Sequence, residues 1–287
     1  MTDESTDDLH CVAPGFGPAG PGEGYQFGLG VFETIAVRHG RAIMLERHIE
    51  RLHRGCHAVG VPDPDDASLR ERIDRHLRRL REENPSLWTS CALKVITSDD
   101  ELVLTQRANP YDRWADDRTL KLGWCRAWRN ERSPLTFHKT LNQGDNILET
   151  RRARASGFDG AVFVNTRGEI CETTNANLFF VRDGVIRTPA EECGLLPGTV
   201  RQWVCERRPV VESRMPVMAS RDGDGLGGGA FELGRWDEVF ATNALMGVRP
   251  VSVIGGTAIP AGPITRRLMQ EYGRLACERE HGQIGHI

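Results

Sequence analysis

The stretch Ile170-Cys-Glu-Thr-Thr-Asn-Ala-Asn-Leu-Phe179 decides how the second half of the chain folds. It is flanked by two β-rich segments: residues 161–164, which turn at Arg167-Gly168, and residues 177–181, which turn at Asp183-Gly184. β-Branched and aromatic residues bounded by glycine turns are typical of strand-turn-strand units. We therefore expect a sheet here, with Glu172 between two of its strands.

The position of Glu172 permits two interpretations. A carboxylate between two strands can face the interior only if a partner offsets the loss of its hydration. A protonated ring nitrogen of a bound cofactor would be such a partner. A glutamate on an edge strand would need none, and the residue pattern alone favours that simpler interpretation.

Further elements are predicted outward from this stretch. In the second half we expect strands at 120–128, 238–242 and 251–254, helices at 142–156, 198–206 and 264–279, and a glycine-rich surface loop at 220–234. In the first half we expect a loop at 11–28, strands at 31–37, 91–97 and 101–107, and helices at 45–59 and 67–82.

The chain is long enough for two domains. It has 287 residues, and the segment 108–118, with Pro110 and several aspartates, is the best candidate for a linker. We expect a small N-terminal α+β domain at 1–110, a linker at 111–118 and a larger C-terminal domain at 119–287. Strands and helices are mixed without regular βαβ alternation, so the expected fold class is α+β or mixed.

Composition excludes several classes of protein. Lys plus Arg is 37 and Asp plus Glu is 40, a net charge of −3, which gives no support for a nucleic-acid binder. No window approaches 18 consecutive apolar residues, so we expect no membrane span. The first ten residues are acidic and polar, unlike a secretory signal, and we expect a cytoplasmic protein.

Neither the cysteines nor the histidines indicate a metal site. No two of the eight cysteines have Cys-x-x-Cys spacing, so we expect reduced thiols packed as small apolar residues. His48, His53 and His57 crowd one segment, but without the spacing of a zinc site. No metal is expected.

Two other features could carry chemistry. Lys139 lies in an otherwise neutral segment before a helix, where burial would favour the neutral amine, a nucleophile able to form a Schiff base with a carbonyl cofactor. The turn Gly194-Leu-Leu-Pro-Gly-Thr-Val-Arg201 leads into a helix, whose first N–H groups could bind a phosphate. A solvated lysine and an ordinary helix start are the alternatives.

Taken in order, six segments resemble the class IV aminotransferase family, the fold-type IV pyridoxal-phosphate enzymes, over about residues 28–251. The six segments are Gly30-Val-Phe-Glu-Thr34, Glu46-Arg-His-Ile-Glu-Arg-Leu52, His138-Lys-Thr-Leu-Asn142, Gly168-Glu-Ile-Cys-Glu172 continuing to Phe179, Leu196-Pro-Gly-Thr-Val-Arg201, and Val239-Phe-Ala-Thr-Asn-Ala-Leu-Met-Gly-Val-Arg-Pro-Val251. The family includes branched-chain and D-amino-acid aminotransferases and aminodeoxychorismate lyase. Six matches in the right order make coincidence very improbable.

The resemblance implies a role for each matched position. Lys139 would hold pyridoxal phosphate covalently and then move the proton, and Glu172 would pair with the ring nitrogen. The cofactor phosphate would be bound by Arg51, by the backbone at Thr199 and Val200, and by the turn at Asn243-Ala244. Glu33, Gln143, Asn177 and Arg249 would lie on the substrate side. The family also implies a homodimer acting on a small amino substrate.

Some positions depart from the family pattern, mostly on the substrate side. Gly28-Leu29-Gly30 replaces Gly-Asp-Gly, an upstream Asp-Arg pair is missing, Val200 replaces a threonine, and Gln143 replaces an aromatic residue. The segments at 139–142 and 243–246 look closer to aminodeoxychorismate lyase than to branched-chain aminotransferases. The resemblance therefore favours elimination of pyruvate from 4-amino-4-deoxychorismate, with transamination of branched-chain, D- or related amino acids as the alternative. A cofactor-free scaffold of the same fold is a third possibility.

Overall fold

Two β-sheets, each covered by helices, make up the protein in the computed structural model, which describes residues 22–99, 101–217 and 233–277. The mixture of parallel and antiparallel strand pairs with helices confirms the expected α+β or mixed class. Within those ranges no helix is both long enough and apolar enough to cross a membrane.

The N-terminal part forms a four-stranded antiparallel sheet in the order β2-β1-β3-β4. Its elements are α1 (Glu23–Phe27), β1 (Val31–Arg38), β2 (Arg41–Ala42), α2 (Leu45–Val59), α3 (Asp66–Glu83), α4 (Pro85–Thr89), β3 (Ser90–Ser98) and β4 (Glu101–Arg107). The two predicted helices and three predicted strands of this half are confirmed to within a residue or two.

The apolar stripe of each long helix explains how this part packs. Ile49, Leu52 and Cys56 of α2 lie on one face and are buried against β1 and β3. The four buried residues of α3 follow the same helical spacing and join the same core. Asp65 caps α3, since its side chain accepts the Ser68 N–H at 2.9 Å.

The C-terminal part forms a nine-stranded mixed sheet in the order β10-β9-β8-β11-β12-β5-β6-β7, with β13 paired to β12. Its strands are β5 (Leu120–Trp124), β6 (Gly160–Val164), β7 (Ile170–Thr173), β8 (Asn177–Arg182), β9 (Val185–Pro189), β10 (Val210–Ser213), β11 (Glu238–Asn243), β12 (Gly247–Ile254) and β13 (Thr257–Ala258), and its α-helices are α5 (Gly144–Ala155), α6 (Thr199–Arg207) and α7 (Pro263–Cys277).

Some expected boundaries are wrong. The strand predicted at 120–128 ends at Trp124, because the N–H groups of Arg126 and Ala127 donate to the Glu149 carboxylate instead of to a neighbouring strand. The predicted loop at 11–28 contains the short helix α1. The loop predicted at 220–234 falls largely outside the described residues, as do residues 11–21.

Hydrogen bonds from three arginines are among the contacts that join the small sheet and its helices to the large sheet and its helices. Arg41 donates to the main-chain oxygens of Leu275 and Ala276 at the C-terminal end of α7. Arg47 of α2 forms a two-bond ion pair with Glu206 of α6, at 2.6 and 2.8 Å. Arg51 donates to the Pro197 carbonyl. The chain passes between the sheets over residues 108–119, where the sequence predicts a domain linker. The division into two domains there stays a prediction.

Candidate active site

A cavity of about 870 Å³ lies between the two sheets, and most of the predicted site residues line it. Those that do are Lys139, Glu172, Arg51, Thr199, Asn243, Ala244, Gln143 and Asn177. Glu33, Val200 and Arg249 lie outside the lining. The tertiary structure thus gathers eight of these residues from segments up to about 190 residues apart in the chain.

Lys139 lies in the loop before α5, and this loop is hydrogen-bonded to the start of β1. The Phe32 N–H donates to the Lys139 carbonyl at 2.8 Å, and the Leu141 N–H donates to the Gly30 carbonyl at 2.9 Å. The Nζ atom lies 4.5 Å from the centre of the Phe32 ring. Burial and the nearby Arg51 lower the pKa of Lys139 to about 8, against the opposing pull of Glu33 and Glu172. The neutral amine is therefore more accessible near neutral pH than in an ordinary lysine.

Glu172 faces the cavity from β7 and is held at both carboxylate oxygens. Oε1 accepts from Arg129 Nη2 at 3.3 Å, and Oε2 accepts from Asn177 Nδ2 and the Leu196 N–H, each at 3.2 Å. Burial raises the pKa of Glu172 to about 7, although Arg129, the Leu196 hydrogen bond and Lys139 lower it. Glu172 does lie on an edge strand, since β7 is the last strand in the sheet order, but its carboxylate is buried and partnered, so the expectation that an edge-strand glutamate needs no partner is wrong.

Arg51 is held by a buried carboxylate, Glu33, on the neighbouring strand. Arg51 Nε and Nη2 donate to the two Glu33 oxygens at 2.7 and 2.6 Å, and His48 Nδ1 lies 2.6 Å from Glu33 Oε2. Burial alone would raise the pKa of Glu33, but Arg51 and His48 lower it to about 2. Glu33 is thus ionised and engaged with Arg51 and His48 behind the cavity wall.

The start of α6 presents unshared backbone N–H groups to the cavity. Gly198 is the N-cap and provides no side chain to cap the first turn, so the N–H groups of Thr199, Val200 and Arg201, which precede the first intrahelical bond at Gln202, are available to an anion. A Cβ atom at position 198 would overlap Asn177 Oδ1, so only glycine fits there. Val200 packs its side chain into the core beneath and can contribute its backbone alone.

The turn between β11 and β12 closes the same end of the cavity. Asn243 Oδ1 accepts from the N–H groups of Leu245 and Met246 at 3.0 and 2.9 Å, which shapes the turn around Ala244. Thr242 Oγ1, just before this turn, is buried and has no hydrogen-bond partner.

Of the residues expected on the substrate side, Gln143 and Asn177 line the cavity, whereas Glu33 and Arg249 do not. Gln143 lines the cavity and donates to the Thr140 carbonyl at 3.1 Å. Asn177 is engaged with Glu172 and with the Leu196 carbonyl at 2.9 Å. Arg249 points away from the cavity and donates to the main-chain oxygens of Ala115 and Asp116.

Sequence reasoning missed five cations that line the cavity: Lys94, Arg107, Arg129, Arg151 and Arg154. Lys94 is the one charged residue in the otherwise apolar and small-residue strand β3, and this interruption of the pattern was a usable signal. Arg107 at the end of β4 and Arg129 in the loop after β5 carry no such signal, because arginine is common in both settings.

The cavity fits pyridoxal phosphate. A buried amine at Lys139 and a buried carboxylate at Glu172 are the two groups that this cofactor's aldehyde and ring nitrogen require. The uncapped turn at Thr199, together with Arg51, is suited to its phosphate. Thr174 Oγ1 and Thr242 Oγ1 also line the cavity as buried polar atoms without partners, as expected where a polar ligand completes a site.

Comparison with known proteins agrees with this geometry. Aminodeoxychorismate lyase of Vibrio harveyi is 28% identical over 85% of this chain and 91% of its own length. D-Alanine aminotransferase of Listeria monocytogenes is 26% identical over 87% of each chain. The crystal structure of 4-amino-4-deoxychorismate lyase from Pseudomonas aeruginosa superposes with a TM-score of 0.69 at 24% identity, covering 88% of this chain and 92% of that one.

The sequence model of the amino-transferase class IV family matches residues 30–254, well over half of the chain. That span contains every residue of the candidate site, from Glu33 to Arg249. A solved structure of this fold, described as a hypothetical aminotransferase from Mycobacterium tuberculosis, with a TM-score of 0.73 at 19% identity, is in a pyridoxal-phosphate-bound form. The chain therefore belongs to the class IV aminotransferase family and is a pyridoxal-phosphate-dependent enzyme.

Proposed function

We propose that this enzyme eliminates pyruvate from 4-amino-4-deoxychorismate and releases 4-aminobenzoate, a folate precursor. The observation that carries the proposal is a pair of cations on the small sheet, Lys94 and Arg107, that face the cavity without an anionic partner among the described residues; Arg151 and Arg154 line the same cavity from α5. They suit a substrate with carboxylates beyond the reacting amine. The likeness to the lyase of Vibrio harveyi supports the same choice.

The two cations lie on one face of the small sheet. In the register of β3 and β4, Ala92 is opposite Arg107 and Lys94 is opposite Thr105, so Lys94 and Arg107 are diagonal neighbours. Burial and the charge of Arg107 lower the pKa of Lys94. Lys94 Nζ lies 4.4 Å from the Phe32 ring that Lys139 also contacts. A substrate carboxylate bound at Lys94 would offset the repulsion between the charges of Lys94 and Arg107 while the substrate amine is near Lys139.

The chain's own groups divide the work in the proposed reaction. Pyridoxal phosphate, when bound, supplies a conjugated ring that withdraws electrons from the reacting carbon. Lys139 Nζ would hold the cofactor and later take up and return the substrate proton. Glu172 would keep the ring nitrogen partnered, and Arg51 with the first turn of α6 would bind the phosphate.

The test is an assay with a single amino substrate. Enzyme given 4-amino-4-deoxychorismate alone should release pyruvate and 4-aminobenzoate through many turnovers, because elimination regenerates the cofactor aldehyde. Lys94→Gln should raise KM about tenfold, through loss of one charge-assisted hydrogen bond. Lys121→Gln, which removes an exposed lysine of β5, is the matched control and should leave KM unchanged.

Aminotransfer to a keto acid is the second candidate, favoured by the likeness to D-alanine aminotransferase. An aminotransferase would stop after one turnover with the cofactor in its amine form and resume when 2-oxoglutarate or pyruvate is added. That behaviour with branched-chain, D- or other amino acids, and no multiple-turnover pyruvate release, would replace the lyase proposal.

Assembly and location are also proposed on the family resemblance. We propose a cytoplasmic homodimer, and light scattering at working concentration should give twice the chain mass of 32.0 kDa. A strict monomer would contradict the dimer. A cofactor-free scaffold would retain no absorption band of bound cofactor once pyridoxal phosphate has been added and the unbound excess removed.

A further inference from the structure

Arg129 contacts Glu172 but belongs to none of the motifs that carry the family resemblance. It lies in the loop after β5, where its N–H donates to the Val164 carbonyl at 2.8 Å and fixes the backbone against β6. Its side chain is only 12% exposed and lines the cavity. From there Nη2 donates to Glu172 Oε1 at 3.3 Å.

The guanidinium of Arg129 is itself held from two other directions. Nη1 donates to Asn146 Oδ1 at 3.2 Å, and Asn146 is anchored in turn by donating to the Thr174 carbonyl at 2.9 Å. The guanidinium carbon lies 3.9 Å from the centre of the Phe163 ring, which supports it from below. A planar cation fixed by an amide and a ring has little freedom to rotate, so Nη2 is directed toward Glu172, while Nε is buried without a protein partner.

Arg129 is the cation in direct contact with Glu172. The groups that face this carboxylate are Arg129, Lys139 and Arg51, together with the uncharged donors at Asn177 and Leu196. Among the charged groups, Arg129 does most to lower the pKa of Glu172, against the effect of burial.

We propose that Arg129 is a positioning residue for the cofactor's ring nitrogen: it holds the Glu172 carboxylate in place and in its charged form, so that the shared proton stays on the ring. This inference rests on the proposed pairing of Glu172 with that nitrogen, and it is independent of whether the enzyme is a lyase or an aminotransferase. Without Arg129 the proton moves toward Glu172, and the ring withdraws electrons less strongly.

The experiment measures the protonation of the cofactor's ring nitrogen directly, in the enzyme loaded with cofactor and without substrate. The protein is loaded with pyridoxal phosphate labelled with 15N in the ring, and the 15N chemical shift distinguishes a protonated ring from an unprotonated one. In Arg129→Met the shift should move toward the unprotonated value, and Arg129→Lys should restore it in part. Arg126→Met removes an exposed arginine from the same loop and should leave the shift unchanged.

A second reading separates this role from a merely structural one. With 13C-labelled glutamate carboxyl groups, the Glu172 signal, identified by its loss in Glu172→Gln, should titrate at higher pH in Arg129→Met by about one pH unit. A 15N shift and a Glu172 titration both unchanged in Arg129→Met would overturn the proposal. If that variant does not fold, Asn146→Ala, which frees Nη1 of Arg129, should give a smaller shift in the same direction. No shift in Asn146→Ala would count against the proposal equally.

Discussion

Lys139 is the residue on which the proposed chemistry depends, and its neighbours make a specific prediction possible. Lys94 is a second lysine in the same cavity and contacts the same Phe32 ring. Only Lys139 has both a lowered pKa of about 8 and a position beside Glu172 and Arg51.

Borohydride reduction of the loaded enzyme should therefore leave the pyridoxyl mass on Lys139 alone, as peptide mass mapping can establish. Lys139→Ala should lose the label and all turnover, whereas Lys94→Ala should keep the label on Lys139. A label on Lys94 in the wild-type protein would contradict the assignment of Lys139.

Glu33 gives a second prediction at this scale, about stability. Its pKa of about 2 in the folded protein is below the ordinary value of 4.5, because Arg51 and His48 outweigh the effect of burial. Because the pKa of Glu33 is lower in the folded protein than in the unfolded one, its ionised carboxylate stabilises the fold at every pH above about 4.5. This contribution of about 3 kcal/mol is lost as the pH falls from about 4.5 to 2.

Glu33→Gln should reduce the free energy of unfolding at pH 7 by about 3 kcal/mol, since it leaves the buried Arg51 without its anion. It should also flatten the acid dependence between pH 4.5 and 2, as measured by urea unfolding at each pH. Glu50→Gln, which changes an exposed glutamate of α2 beside Arg51, is the control. Equal acid dependence in wild type and Glu33→Gln would show that this ion pair does not stabilise the fold.

At the scale of single elements, α3 shows how a local signal sets a helix start. Asp65 accepts the Ser68 N–H at 2.9 Å and so satisfies one of the N–H groups that a helix leaves free. Asp65→Ala should lower stability by about 1 kcal/mol, whereas Asp65→Asn should restore most of it.

Chemical denaturation of both variants, with Asp74→Ala in the exposed middle of α3 as the control, measures this contribution. A loss in Asp65→Asn as large as that in Asp65→Ala would attribute the effect to charge near the helix start and not to the cap.

At the scale of the whole molecule, the site draws its residues from both sheets. Arg51 lies on α2 against the small sheet, whereas Glu172, Thr199 and Asn243 belong to the large one. A ligand that contacts both sheets should stabilise both of them. The free energy of unfolding should rise by about 2.7 kcal/mol when the ligand concentration is a hundred times its Kd.

Hydrogen exchange should accordingly slow in β1 and β3 as well as in β8 and β11 when pyridoxal phosphate is added. In Arg51→Met the protection of β1 and β3 should be lost while that of β8 and β11 remains. Unchanged exchange in the small sheet of the wild-type protein would mean that the cofactor is held by the large sheet alone.

The sequence by itself determined the elements whose signals are local. The stripe of Ile49, Leu52 and Cys56 predicts α2 because a period of 3.6 residues puts them on one face, and the ordered motifs around Lys139 and Glu172 predict the cofactor. These local signals do not show which segments, remote from one another in the chain, lie close together in the folded protein. The true end of β5 depends on Glu149, a carboxylate 22 residues away from Ala127 along the chain.

Only the tertiary structure decided which polar groups face one another. It put Glu33 behind Arg51 and not in the cavity, turned Arg249 toward Ala115 and Asp116, and brought Lys94, Arg107 and Arg129 to the cavity wall. The physical reason is that the charge state and role of a buried group depend on partners contributed by other strands and loops. Those partners meet only when both sheets have formed.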